Sequence, residues 1–215
     1  MFSKYGNPKF AEEKLEEFSR TFRDKYAVPL LESHLTMLLR RKTNYIGSKC
    51  LNYAIKYVGQ ATKMPLTMTK LKPFVERLLY EVIITPIMLI THKDVSLFKE
   101  DPIEYIRKQN DFTETLFAPK NNSVDLLMYL CKYKSTKKAK QPDYLRGFLQ
   151  FCAQTLTQYA QAQAAGQGAG IDWRIKESIL YGIGSLLEKI NFYKELRATV
   201  EPMMINFVLP ELRNP

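Results

Sequence analysis

The sequence predicts an all-α fold, a right-handed α-solenoid of antiparallel helix pairs. Three observations lead there. Apolar residues recur three and four apart through most of the 215 residues, the spacing of one helix face. No stretch alternates at period two, so no half-buried strand is expected. Prolines and capping residues cut the chain into helices that fall in pairs of about 35 to 50 residues, the period of helical-repeat arrays. Such repeats bury their apolar faces only against neighbours, so a curved stack of about four to five pairs is expected rather than a globule.

The first helix is predicted from near Pro8 to about Lys25. Phe10, Leu15, Phe18 and Phe22 form its stripe, and Glu12, Glu13, Glu16 and Glu17 lie in its first turns, where the helix dipole favours them. Val28-Pro29 marks a break and a new start. A second helix follows to about Arg41, with Leu30, Leu31, His34, Leu35, Leu38 and Leu39 on its face and Arg40, Arg41 and Lys42 closing it. A third runs from about Tyr45 to Gln60 with the stripe Ile46, Cys50, Tyr53, Ala54, Tyr57 and Val58. Thr69 caps a fourth, Leu71 to roughly Ile90, in which Pro73 is tolerated in the first turn and Pro86 kinks or splits the helix.

Next comes Phe98–Leu127, with two helix starts and a gap. Asp101 is an N-cap with Pro102 at the first helical position. Ile103 and Ile106 are expected to pack, and Arg107 to pair with Glu104. Asn121-Asn122-Ser123 opens a helix to Tyr133, with Val124, Leu127 and Met128 on one face. Residues 134–141 read as a flexible basic loop. Pro142 starts a helix with Leu145, Phe148, Leu149, Cys152, Leu156 and Tyr159 on its face; it frays into a low-complexity linker near 161–171. Asp172 caps Trp173 to about Ile190, where Gly182, Gly184 and Ser185 leave room for a close neighbour. A last helix spans about Glu195 to Val208, interrupted early by Pro202, and Leu209-Pro210 ends it.

Composition bounds the function. Apolar content of 46% and charged content of 25% are those of an ordinary folded chain. No run of about 18 uncharged apolar residues exists, so no membrane span is expected. The first twenty residues carry four glutamates and no apolar core, unlike a signal peptide. Cys50, Cys131 and Cys152 are too few and too far apart for a metal knuckle or a disulfide framework, which points to a reducing compartment. The net charge is +10, and Lys132–Arg146 alone contributes half of it. Lys132, Lys134, Lys137, Lys138 and Lys140 are therefore the candidate partner-binding residues, set against the plainer alternative of a solvated insert between helices. Tyr129, Tyr133 and Tyr144 read as core edges rather than base-stacking platforms.

Nothing points to catalysis. His34 reads as a core-edge histidine and His92 as a partner of a helix C-terminus; neither has a cysteine or carboxylate at ligand spacing. Gly166, Gly168 and Gly170 precede no phosphate-loop lysine, and no nucleophile-elbow or dinucleotide motif is present. No enzyme, cofactor or metal site is expected.

The words Asp101-Pro102-Ile103-Glu104-Tyr105-Ile106-Arg107, then Phe112, then Pro119 before a Leu-Leu helix, resemble the importin-β superfamily of nuclear transport receptors, in particular its importin-seven and importin-eight subgroup. Ser3-Lys4-Tyr5-Gly6, Leu71-Lys72-Pro73, Lys176-Glu177-Ser178, Ile183-Gly184-Ser185-Leu186 and Val208-Leu209-Pro210 fall in the family's order over nearly the whole chain. Because the first and last of these resemble interior family sequence, an excised central segment is expected, with Met1 an added start residue. The resemblance implies one HEAT-repeat segment over residues 1–215 of a receptor moving between cytoplasm and nucleus through the nuclear pore. It implies FG-repeat nucleoporins bound in apolar clefts, cargo release on binding the GTP form of the Ran GTPase, and basic cargo such as ribosomal proteins or histones. The family's main Ran site lies in repeats outside this chain, so no Ran-contact residue is carried over. Family members meet basic cargo with acidic inner surfaces, and this basic segment departs from that. The alternative is a helical-repeat module that binds nucleic acid or acidic partners through a basic face; on the family reading, nucleic acid is not an expected partner.

Overall fold

A computed structural model gives the architecture for residues 13–41, 45–111, 118–136, 138–166 and 172–213. Every regular element among them is helical. The chain divides into two compact units, Met1–Met88 with His92–Leu130, and Leu89–Thr91 with Cys131–Pro215.

In the first unit a 3-10 turn (Glu13–Leu15) leads into α1 (Glu16–Thr21), a π-type turn (Phe22–Tyr26) and α2 (Ala27–Leu39). The break expected at Val28-Pro29 is absent. The bend falls at Tyr26 (φ −114°, ψ −30°), and Pro29 lies in the first turn of α2, where its missing N–H has no partner to lose. Of the first stripe, Phe22 is buried, Leu15 half-buried and Phe18 exposed; Phe10 lies outside the described residues. Leu31, Leu35 and Leu38 bury as one stripe of α2, as their spacing predicts.

Helix α3 (Ser48–Ala61) begins later than expected, after an extended Gly47. Its buried face is Leu51, Ala54, Ile55 and Val58, rotated from the predicted one, so Cys50 and Tyr53 are exposed. Buried Asn52 accepts a hydrogen bond from the Asn122 amide, which also donates to the Ala118 carbonyl. Helix α4 starts at Pro65 (Pro65–Leu71), with proline at N1, rather than at Thr69. The Thr67 hydroxyl caps the end of α3, donating to the carbonyls of Ala61 (2.6 Å) and Met64 (3.1 Å). A 3-10 turn (Lys72–Phe74), α5 (Val75–Arg77) and a π-type segment (Leu78–Ile87) follow. Pro86 breaks that segment as expected. Thr85 before it leaves the helical region (φ −131°, ψ 115°), at a cis peptide bond to Pro86. Leu78, Leu79, Val82, Ile83 and Ile84 join α2 and α3 in the core.

Helix α6 (His92–Glu100) was not expected, and His92 opens it rather than closing a helix. In α7 (Pro102–Asn110) the Asp101 carboxylate accepts from the Glu104 N–H at 2.9 Å, and Arg107 donates twice to Glu104, both at 2.6 Å. The expectation that Ile103 and Ile106 pack fails: they are 81% and 57% exposed, and neither α6 nor α7 contains a buried residue. Phe112 lies outside the described residues. Helix α8 (Pro119–Lys132) starts two residues before the predicted Asn121 and buries Leu126, Leu127 and Leu130.

The second unit takes the end of α8 and then α9 (Leu145–Ala164), which buries Leu145, Phe148, Cys152 and Leu156. Helix α9 continues through Gln161–Ala164 and ends with Gly166 in the left-handed region (φ 71°), a glycine-favoured stop. Asp172 caps α10 (Trp173–Ser185), accepting from the Arg174 N–H at 3.0 Å. The Arg174 guanidinium also pairs with Asp172 and donates to the Ile90 carbonyl at 3.3 Å. Gly184 faces open space among the described residues, where a Cβ would meet nothing within 4 Å. Leu186 (φ −101°, ψ 2°) separates α10 from α11 (Leu187–Phe192). The last predicted helix is divided into α12 (Lys194–Arg197), α13 (Val200–Met203) and a π-type segment (Met204–Val208).

Candidate functional site

The basic segment predicted from charge lies in the second unit, between α8 and α9. Its backbone is tied down locally. The Asp143 N–H donates to Tyr133 O (3.0 Å), and the Asp143 carboxylate accepts from the Ser135 N–H, 3.2 Å to each oxygen. Ala139 N–H donates to Thr136 O at 3.2 Å, closing a turn. Arg146 and Gln141 both donate to Glu195 at 2.9 Å. The candidate lysines divide. Lys134 is half-buried, donates to Ala139 O (2.9 Å) and lies 5.7 Å from the Tyr193 ring centroid. Lys132, Lys138 and Lys140 are exposed, and Lys137 lies outside the described residues. Tyr133 and Tyr144 stack on each other, centroids 6.2 Å apart. Half-buried and paired, they offer no open platform to a base.

Each unit also holds an aromatic cleft. In the first, α2, α3 and α8 enclose about 510 Å³ lined by Leu30, His34, Tyr53, Tyr57, Asn122 and Tyr129. His34 Nδ1 lies 2.6 Å from Leu30 O; a carbonyl only accepts, so Nδ1 carries a proton. The imidazole stacks on Tyr57, centroids 4.6 Å apart. The Tyr57 hydroxyl donates to Ala27 O at 2.9 Å, and burial pushes its pKa up to about 12. Gly59 lets the Tyr129 ring approach: a Cβ there would sit 3.3 Å from Tyr129 Cδ2. The second cleft, about 380 Å³, is lined by Tyr159, Trp173, Lys176, Leu180, Tyr181 and Glu211. Lys176 pairs with Glu211 and lies 5.3 Å from the Tyr159 centroid, while Trp173 is 50% exposed.

These clefts can hold apolar or aromatic side chains, with a few polar groups to orient them. The residues that line them escaped the sequence reading because each lies on a helix face whose partner is distant in the chain. The exposure of Tyr53 and Trp173, large aromatic rings left in water, marks the clefts only once the helices are packed. Burial pushes the Cys131 and Cys152 thiols upward, away from the reactive thiolate. Among the described residues no group of histidine, cysteine, aspartate and glutamate could hold a metal.

Along 99% of its length the chain is 30% identical to importin-8 of Mus musculus, over 213 residues. This chain is homologous to a segment of importins. An importin beta-like SAD2 homolog of Arabidopsis thaliana is 26% identical over 216 residues covering the whole chain. A probable importin-7 homolog of Dictyostelium discoideum is 26% identical over 94% of it. The chain spans about a fifth of the length of these curated importins, covering 20%, 19% and 18% of them. No family model matches the chain, and no solved structure does. The importin resemblance drawn from the Asp101–Arg107 words thus extends through both units.

Proposed function

We propose that this chain is a segment of a nuclear transport receptor that acts by binding, not by bond chemistry, in Ran-dependent protein import. The homology to importins over the whole chain carries this reading. Its helices are then consecutive, antiparallel pairs of one right-handed HEAT-repeat array shuttling between cytoplasm and nucleus. The two aromatic clefts suit the phenylalanine side chains of FG-repeat nucleoporins, since each offers aromatic walls between neighbouring helices. Basic cargo such as ribosomal proteins or histones, and Ran itself, engage the longer receptor.

A second reading follows from the exposed Lys132, Lys138 and Lys140: a basic face that binds acidic partners or nucleic acid. Salt separates the two. A labelled FG-repeat peptide and a labelled DNA duplex are titrated with the chain at low salt and at ~500 mM, because counterion release weakens only the charge-driven complex. FG binding that survives salt, with DNA binding that vanishes, supports the transport reading. Tight DNA binding at intermediate salt without FG binding supports the basic face and removes the clefts as nucleoporin sites.

A further inference from the structure

The turn between α8 and α9 carries an acceptor hydroxyl among the lysines of the basic segment, Lys137 following it directly in the sequence. Thr136 is exposed, and Lys132, Lys134, Lys138 and Lys140 stand two and four residues to either side of it. Among the described residues its hydroxyl makes no hydrogen bond. We propose that Thr136 is a phosphorylation site for a kinase that selects lysine-rich substrates. The proposal stands apart from the transport reading, since it rests on this turn alone.

Three features favour Thr136. The described residues between Lys132 and Leu145 are not helical, so they can enter a kinase cleft, where an acceptor binds extended, without unwinding a helix. Among the described residues the bonds that must open for the segment to extend are few: Ala139 N–H to Thr136 O, Ser135 N–H to the Asp143 carboxylate and Lys134 to Ala139 O. The lysines give the segment the charge that an acidic substrate cleft recognises. Ser135 is the poorer acceptor, because its N–H is already held against both carboxylate oxygens of Asp143, and a phosphate beside that carboxylate would be repelled. In the transfer, Thr136 Oγ attacks the γ-phosphorus of ATP and forms a new P–O bond. The bond from the γ-phosphorus to its bridging oxygen breaks, ADP leaves, and the hydroxyl proton passes to the kinase base. The phosphate brings about −1.5 to −2 charge beside Lys138 and Lys140 and lowers the segment's basic excess by about a third. The exposed basic face is thereby weakened.

The test treats the purified chain with the catalytic domain of a lysine-directed Ser/Thr kinase and radiolabelled ATP, and maps the phosphate by mass spectrometry. Phosphate is expected on Thr136, reduced at least about tenfold in Thr136→Ala, restored in Thr136→Ser and unaffected in Ser135→Ala, because the lysine pattern rather than Ser135 directs transfer. Circular dichroism confirms that each variant keeps its helices. The phosphorylated chain should leave heparin at lower salt than the unmodified one. No incorporation, incorporation that persists in Thr136→Ala, or unchanged heparin elution overturns the proposal.

Discussion

The Tyr57 hydroxyl ties α3 to α2 through Ala27 O, and burial keeps it neutral well past the usual phenol range, up to about 12. The linkage has a definite sign. The folded pKa is raised above the ordinary 10.0, so the stabilisation is fully present below pH 10 and is lost as pH rises from there through about 12. Tyr57→Phe should cost about 1 kcal/mol at neutral pH, the worth of one hydrogen bond. Urea midpoints should then fall less between pH 10 and 12 in the variant than in the parent; equal slopes would rule out Tyr57 as the group responsible. Little of this was legible in the sequence. Spacing put Tyr57 and His34 on helix faces, but their stacking needs the two helices to meet, which periodicity does not encode. Ile103 and Ile106 show the same limit: helical spacing finds an apolar face and says nothing about what lies opposite it.

Two of the predicted caps were legible, because a cap is settled within four residues, whereas Thr69 lies inside α4 and donates back to Pro65 O instead of capping a helix. Asp101 and Asp172 both accept from backbone N–H groups, as their positions before apolar runs predict. Proline was read less well. Pro86 breaks its helix, whereas Pro29 and Pro65 fit into first turns, and the difference depends on where each helix begins. Helix α6 was missed because HKDVSLFKE has too few apolar positions to show a period. α6 and α7 pack on each other and bury no residue, so local terms such as the Asp101 cap hold them. Asp101→Ala should destabilise α7 by about 1 kcal/mol, speeding amide exchange across Pro102–Asn110 about fivefold while α2 and α3 are untouched. Unchanged exchange in that helix would show that the cap is not what holds it.

At the scale of the molecule, the charge excess is shared evenly between the two units, concentrated in the second at Lys132–Arg146, while each unit has its own core and its own cleft. The division near residues 88 and 130 leaves no mark in the sequence: α8 runs through it as an unbroken helix, and the boundary depends on which distant side chains meet. The cysteines are distributed unevenly across it. Cys50 is exposed on α3 in the first unit, whereas Cys131 and Cys152 are sealed in the core of the second. The chain therefore carries a clock. A thiol reagent such as Ellman's should consume one equivalent per chain at once and the other two only as fast as the second unit opens. Immediate reaction of all three would mean that this core is open in solution. With Cys50→Ser the colour that develops reports one unit alone, and its rate in increasing urea measures how long that unit stays shut.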